Sequence, residues 1–108
     1  DVSDIAIMNL AMIYSSTNQK EKSLKLYGHV SNYSKTVRLK AEALYRIGVI
    51  YLERNEVENA VRSLKYAVYL NPSHLNARLL LEQNWKKVHW IFWSKIQVFN
   101  SKFNALSM

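Results

Sequence analysis

The sequence predicts an all-α fold, in which helix–turn–helix units stack side by side and a long helix follows them. Glycine occurs twice and proline once in 108 residues, so residues that break helices are scarce. Apolar residues recur at helical spacing along most of the chain, and short polar breaks separate the helical segments. Cysteine is absent, which excludes disulfides and thiolate metal sites.

The clearest pattern lies in residues 41–74, where two amphipathic helices meet at the polar pair Arg54-Asn55. One face of the first helix carries Leu44, Ile47, Gly48 and Tyr51. One face of the second carries Ala60, Leu64 and Ala67. Asn55 is expected to cap the second helix. Asn71-Pro72 is expected to end it, because the residue before a proline disfavours helical backbone.

This stretch resembles the tetratricopeptide repeat, a helix–turn–helix unit of about 34 residues. The positions that match the family pattern are Leu44, Ile47, Gly48, Tyr51, Ala60, Leu64, Ala67 and Pro72. Gly48 and Ala60 are small where the helices cross closely, and Tyr51 and Leu64 fill the space between them. One such unit cannot bury its own apolar face, so neighbouring units are expected.

A degenerate copy of the pattern lies 37 residues earlier and predicts a first repeat over about residues 4–37. Its first helix, residues 4–16, carries Ile7, Leu10, Ala11 and Tyr14. Its second, residues 19–31, carries Ser23, Tyr27 and Val30. Thr17-Asn18 is expected to form the turn and cap. The three extra residues are expected in a longer loop at 32–36, where Ser34 or Thr36 would cap the next helix.

After Pro72 an unbroken apolar stripe predicts one long helix over about residues 73–104, capped by Ser73 or Asn71. The stripe advances in steps of three or four residues and contains Ala77, Leu81, Trp85, Val88, Phe92, Ile96, Phe99, Phe103 and Leu106. Such a helix would be roughly 45 Å long. The alternative is a break near residues 87–90, which would make a third helix pair with Ser94 and Ser101 at its small positions.

The length predicts a single domain over residues 1–108, or a piece of one. No run approaches the roughly 18 apolar residues of a membrane-spanning helix, and no signal-peptide pattern opens the sequence. Because the chain begins at Asp1 rather than at a methionine, it is expected to be trimmed or processed. The net charge is +7 and concentrates at the two ends. A basic end favours acidic partners, nucleic acid or anionic lipid, or simply solubility.

Side chains that could carry catalysis do not cluster. Two glycines cannot build a phosphate-cradling loop, and His29, His74 and His89 lie far apart without a partner four residues on. Half of the acidic residues precede a base by four positions, which supports a helix: Glu21–Lys25, Glu42–Arg46, Glu58–Arg62 and Glu82–Lys86. The sequence therefore predicts no enzyme, no catalytic residues, no metal and no cofactor.

The family resemblance implies a right-handed stack whose first helices line a concave groove for a peptide or helix of another protein. The groove positions carried over from the family are Met8, Asn9, Met12, Glu42, Tyr45, Arg46, Val49, Leu52, Leu79, Leu80, Gln83 and Lys86. Exposed apolar surface rimmed by charge is typical of a binding site. The alternative is a groove filled by the last helix or by another copy of the chain. A grip on free carboxylates is not expected, because the residues at its positions are Met8, Met12, Asn76 and Leu80.

The aromatic interaction helix, as we name it, comprises Trp85, Trp90, Phe92, Trp93, Phe99 and Phe103, interspersed with lysines. Three interpretations compete: it closes the stack or meets a partner, it lies in a membrane interface, or it binds nucleic acid. The first is preferred, with self-association as a way to bury the helix. The predicted function is therefore a protein-binding adaptor, scaffold or assembly subunit. The rival is a membrane-peripheral module, and a nucleic-acid partner is not expected.

Overall fold

Five helices build the chain in its computed structural model, which describes residues 2–107, with side chains for residues 2–90 and Ser94. They are α1 Val2–Ser16, α2 Lys20–Tyr33, α3 Val37–Glu53, α4 Val57–Leu70 and α5 Leu75–Ser107. Between residues 2 and 107 no strand is present. The predicted all-α stack with a long C-terminal helix is confirmed. The alternative break near residues 87–90 is wrong, because α5 runs through it.

Each helix packs against the next, so the chain forms two hairpins followed by α5. The hairpin of α1 and α2 meets α3 in the first core, formed by Met8, Ala11, Tyr27, Val30, Ala43, Ile47 and Ile50. The second core joins α4 and α5 through Leu64, Ala67 and Ala77. None of the helices in the described chain is long and apolar enough to cross a bilayer.

Both hairpin turns contain an asparagine with left-handed backbone, Asn18 at φ 64° and Asn55 at φ 60°. Asparagine adopts this conformation more readily than most residues. The polar breaks at residues 17–19 and 54–56 are therefore equivalent turns. The prediction that Asn55 caps α4 is wrong, because Glu56 occupies the cap position, and its side chain makes no cap hydrogen bond. Gln19 and Thr36 likewise precede α2 and α3 without a side-chain cap bond.

The three extra residues of the first unit lengthen a helix and not a loop. Only residues 34–36 separate α2 from α3, whereas residues 71–74 separate α4 from α5. Residue 75 lies 34 residues after residue 41, which is one repeat length, so the two positions are equivalent. Helix α5 starts at this position, at Leu75, whereas α3 starts at Val37, four residues before residue 41. The insertion thus forms about one extra helical turn. Helical hydrogen bonds already begin in this turn, since the amide of Lys40 donates to the carbonyl of Thr36 at 3.0 Å.

Small residues stand where the helices of each hairpin cross. In the first hairpin the buried Ser23 hydroxyl donates to the Ala11 carbonyl at 2.8 Å. In the second, a Cβ on Gly48 would lie 2.9 Å from the Cγ of Leu64. The structure corrects one predicted packing position, because Leu10 is exposed. Within the described residues no helix covers this face of α1, whereas the equivalent face of α3 packs in the first core.

Candidate partner-binding groove

A depression of about 330 Å³ opens between α1 and α3. Three of the predicted groove residues line it, Met12, Arg46 and Val49, and Met12 is 48% exposed. The other lining residues are Ser15, Ser16, Lys20, Tyr27, Ile50 and Glu53. Apolar side chains thus contribute to a recess that charged and hydroxyl groups surround.

Ion pairs hold the rim where the start of α2 meets the end of α3. The Nζ of Lys20 lies 2.6 Å from the Oε2 of Glu53 and donates to the Ser15 hydroxyl at 3.1 Å. The neighbouring residues form a second pair of opposite polarity, Glu21 with Arg54. Because these side chains are partly solvated, the pairs position the rim more than they stabilise the fold.

Tyr27 lies beneath the depression and belongs to the first core, with its side chain almost wholly buried. Burial raises the pKa of its phenol above the usual 10.0. The nearby Arg46 guanidinium lowers this pKa, and the Glu42 carboxylate raises it further. The phenol is therefore a neutral group across the physiological range.

A polar cluster links α3 to the start of α5. The carboxylate of Glu42 accepts from the Nε of Arg46 at 3.0 Å and lies 2.6 Å from the Nε2 of His74. The amide of Ala77 donates to the Nδ1 of His74 at 3.1 Å, so Nε2 carries the proton that Glu42 accepts. The rings of His74 and Tyr45 lie 4.8 Å apart.

His74 is the residue that sequence reasoning missed. It was predicted to be an isolated histidine, and the caps expected for α5 were Ser73 or Asn71. In the structure His74 caps α5 itself and links it to Glu42, 32 residues earlier. Its position three residues before Ala77, directly after a proline-containing break, is the signal that could have identified it.

The remaining predicted groove residues divide between the surface and the interior. Met8 is buried in the first core, so in this conformation it does not present its side chain to a partner. Tyr45, Leu52 and Leu80 are partly buried against the second core. Four residues are exposed on α1 and α5: Asn9, Leu79, Gln83 and Lys86.

Two members of the aromatic interaction helix have described side chains. Trp90 is 70% exposed. Trp85 lines a depression of about 260 Å³ between α4 and α5, together with Val61, Lys65, Val88 and His89. Phe92, Trp93, Phe99 and Phe103 lie outside the residues whose side chains are described.

No group of three or more histidine, cysteine, aspartate or glutamate side chains that could hold a metal ion occurs in the described part of the chain. The polar clusters consist of acid–base pairs, which are already matched within the protein.

The comparisons with known proteins identify the second hairpin. A family model described as tetratricopeptide repeat matches residues 41–74. No curated protein and no solved structure gives a significant match. The matched residues hold the close crossing of Gly48 with Leu64 and the left-handed turn at Asn55. Residues 41–74 are therefore a tetratricopeptide repeat.

Proposed function

We propose that the chain is a protein–protein interaction module, an adaptor or assembly subunit that binds a helix or peptide of a partner on its concave face. Tetratricopeptide repeats are generally protein–protein interaction modules. The observation that carries the proposal is the depression between α1 and α3, where Met12 and Val49 lie beside Arg46.

The dimensions and chemistry of the depression favour one kind of partner segment. Its volume of about 330 Å³ is at the small end of the range for ligand pockets, so it receives one or two anchor side chains. Met12, Val49 and Ile50 favour an apolar anchor, and the flexible thioether of Met12 adapts to different shapes. Arg46 and the Lys20–Glu53 pair lie at the edge, where polar groups of the partner backbone would lie.

Peptide selection followed by chemical-shift mapping tests this proposal. Random peptides selected on the unmodified chain are titrated into ¹⁵N-labelled protein, and the amides of Met12 and Val49 are expected to shift. Val49→Glu is expected to weaken binding by about tenfold or more, which is roughly 1.4 kcal/mol. The matched control is Tyr69→Glu, at a position 79% exposed on α4 and outside the depression. Selected peptides that bind the Val49→Glu variant as tightly as the unmodified chain would contradict the proposal.

A membrane-peripheral function is the second candidate, and the exposed Trp90 favours it. Tryptophan and lysine are enriched at membrane interfaces, and Lys86 and Lys87 are also exposed on α5. Co-sedimentation with phosphatidylserine-containing vesicles, compared with phosphatidylcholine vesicles, tests it. Binding to the anionic vesicles that falls in a Trp90→Ala variant supports the candidate, and absence of binding to either vesicle refutes it.

A further inference from the structure

One exposed face of α4, here called the tyrosine face, is formed by Arg62, Lys65, Tyr66 and Tyr69. These residues follow one another in steps of three, one and three, so they lie on one side of the helix. They line a depression of about 480 Å³, and none of the described residues that line it is acidic. The tyrosine face is therefore both aromatic and basic.

The two tyrosines are held at the surface, although they are large enough to contribute to a core. Tyr66 is 56% exposed and Tyr69 is 79% exposed. Their rings lie 6.2 Å apart at 83°, so each ring supports the orientation of the other. Exposed tyrosine offers a partner a large contact area at a low cost in conformational entropy, and it is enriched at protein interfaces.

The stacking of the helices does not require this set of side chains. A shift of 37 residues, the offset between the two turn asparagines, places the tyrosine face of α4 on the equivalent face of α2. The residues found there are Lys25, Gly28, His29 and Asn32. Helix α2 nevertheless forms and packs in the first core. The two tyrosines are thus a property of the second hairpin and not a need of the fold.

The charge of the tyrosine face determines which ligands it complements. Glu58 lies one helical turn before Arg62, so it offsets at most one of the two positive charges. Arg62, Lys65 and the phenol hydroxyls all donate hydrogen bonds, and carboxylates accept them well. The rings beside these donors suit an apolar side chain. The face therefore matches a segment in which carboxylates stand next to an apolar residue.

The number and spacing of the bases favour a protein segment. Neighbouring positions three residues apart on a helix, such as Arg62 and Lys65, are separated by roughly 5–6 Å. Carboxylates two residues apart on an extended peptide are separated by roughly 7 Å, within reach of both side chains. Nucleic-acid binding through the backbone neutralises several phosphates, and anionic membranes attract clusters of roughly four to eight bases. Two bases are few for either of these ligands.

We propose that the tyrosine face is a second protein-binding surface, which binds an acidic segment of a partner with an apolar side chain beside its carboxylates. This surface is distinct from the concave depression, because none of its four residues lines that depression.

Selection from an acidic peptide library tests this proposal. The library has two fixed glutamates two positions apart and random residues elsewhere, and a second library has glutamine at both positions. Selected peptides are titrated into the ¹⁵N-labelled unmodified chain, where the amides of Arg62 and Tyr69 are expected to shift. The amides of Met12 and Val49 report separately on the concave depression. Arg62→Glu is expected to weaken binding about tenfold or more, and Tyr69→Ala about threefold or more.

Helix α2 provides a matched control for each variant. Lys25 occupies the position equivalent to Arg62 and also follows a glutamate by four residues, so Lys25→Glu disturbs the helix in the same way. Tyr33 is 73% exposed, and Tyr33→Ala therefore matches Tyr69→Ala. Both control variants are expected to bind the selected peptides within about twofold of the unmodified chain.

Three results would overturn the proposal. The first is that no glutamate peptide binds with a Kd below about 100 μM, or that the glutamine library yields peptides that bind equally tightly. The second is that the selected peptides bind the Arg62→Glu and Tyr69→Ala variants as tightly as the unmodified chain. The third is tighter binding to a twelve-nucleotide oligothymidylate or to phosphatidylserine vesicles that Arg62→Glu abolishes and Lys25→Glu does not. That result would assign the face to a nucleic acid or to a membrane.

Discussion

Gly48 lacks a side chain at the point where α3 crosses α4. A Cβ there would lie 2.9 Å from the Cγ and 3.0 Å from the Cδ2 of Leu64, which is fully buried. We expect Gly48→Ala to lower the free energy of unfolding by about 1–2 kcal/mol, because the overpacking exceeds the gain in helix propensity. Urea denaturation measures this difference.

Gly28 provides the control for this prediction within the same chain. It lies inside α2, and a Cβ there meets no atom within 4 Å. Gly28→Ala is therefore expected to raise the free energy of unfolding by about 0.5–1 kcal/mol, since only helix propensity changes. If both substitutions stabilised the chain equally, close packing at Gly48 would not be the reason for its glycine.

Tyr27 links stability to alkaline pH. Because the pKa of its phenol is raised in the folded chain, the stabilisation by the neutral form is complete below the unfolded pKa near 10.0 and is lost as the pH rises through the folded pKa. We expect the unmodified chain to lose more stability between about pH 9 and pH 11 than a Tyr27→Phe variant does. Denaturation at both pH values measures the loss. A Tyr69→Phe variant, changed at an exposed site, should follow the unmodified chain.

At the scale of single helices, the start of α5 depends on His74. Its Nδ1 satisfies the amide of Ala77, and its Nε2 proton satisfies Glu42. We expect His74→Ala to lower the free energy of unfolding by about 1–2 kcal/mol through loss of this cap and of the contact to α3. His74→Asn should lose less, because asparagine also caps helices. Equal losses in the two variants, measured by thermal unfolding, would show that the cap contributes nothing.

The existence and order of the helices were predictable because apolar residues at helical spacing mark the buried faces, and short polar breaks mark the turns between helices. Gly48, Leu64 and Ala67 were assigned correctly to the contact between neighbouring helices. Helix ends were less predictable. A sequence shows only which residues are of a type that often caps helices, whereas the residue that occupies the cap position is determined by the backbone angles. Asn55 illustrates this, because its left-handed φ makes it a turn residue and leaves the cap position to Glu56.

The depression was predictable only in part, and partner binding there stays a prediction. Met12 and Val49, on α1 and α3, line the same depression. Met8 is also a predicted groove position on α1, but it is buried in the first core. Its burial depends on contacts with other helices, which the pattern of apolar residues along α1 does not reveal. The role of His74 depends on its contact with Glu42, 32 positions earlier, and helical periodicity carries no information about such contacts.

At the scale of the molecule, the first part of α5 covers one side of α4 in the second hairpin. Trp85 and Val88 lie beside Val61 of α4, which is almost fully buried. We expect a chain that ends after Gln83 to be about 2 kcal/mol less stable than a chain that ends after Trp90, because Val61 becomes exposed. Urea denaturation of the two truncated chains measures the difference. Identical midpoints would show that Trp85 and Val88 do not shield α4.

Light scattering of the full chain and of the chain ending after Trp90 tests the self-association predicted for the aromatic interaction helix. A dimer that becomes a monomer on removal of residues 91–108 supports it, and a monomeric full chain refutes it. The concave depression lies between α1 and α3, so the truncation leaves the proposed peptide site intact and separates the two questions.

Helix α5 is more than twice as long as α4, the helix against which its first part packs. Helix α4 has 14 residues and α5 has 33, which correspond to roughly 21 Å and 50 Å, so nearly 30 Å of α5 extends past its neighbour. The direction of this arm is set near its base, where Ala77 and Leu81 pack at the second core. The end of α5 lies about 40 Å from these residues, so a tilt of about ten degrees there would move it by roughly 7 Å. The packing of Ala77 and Leu81 against the second core thus determines where the end of α5 points.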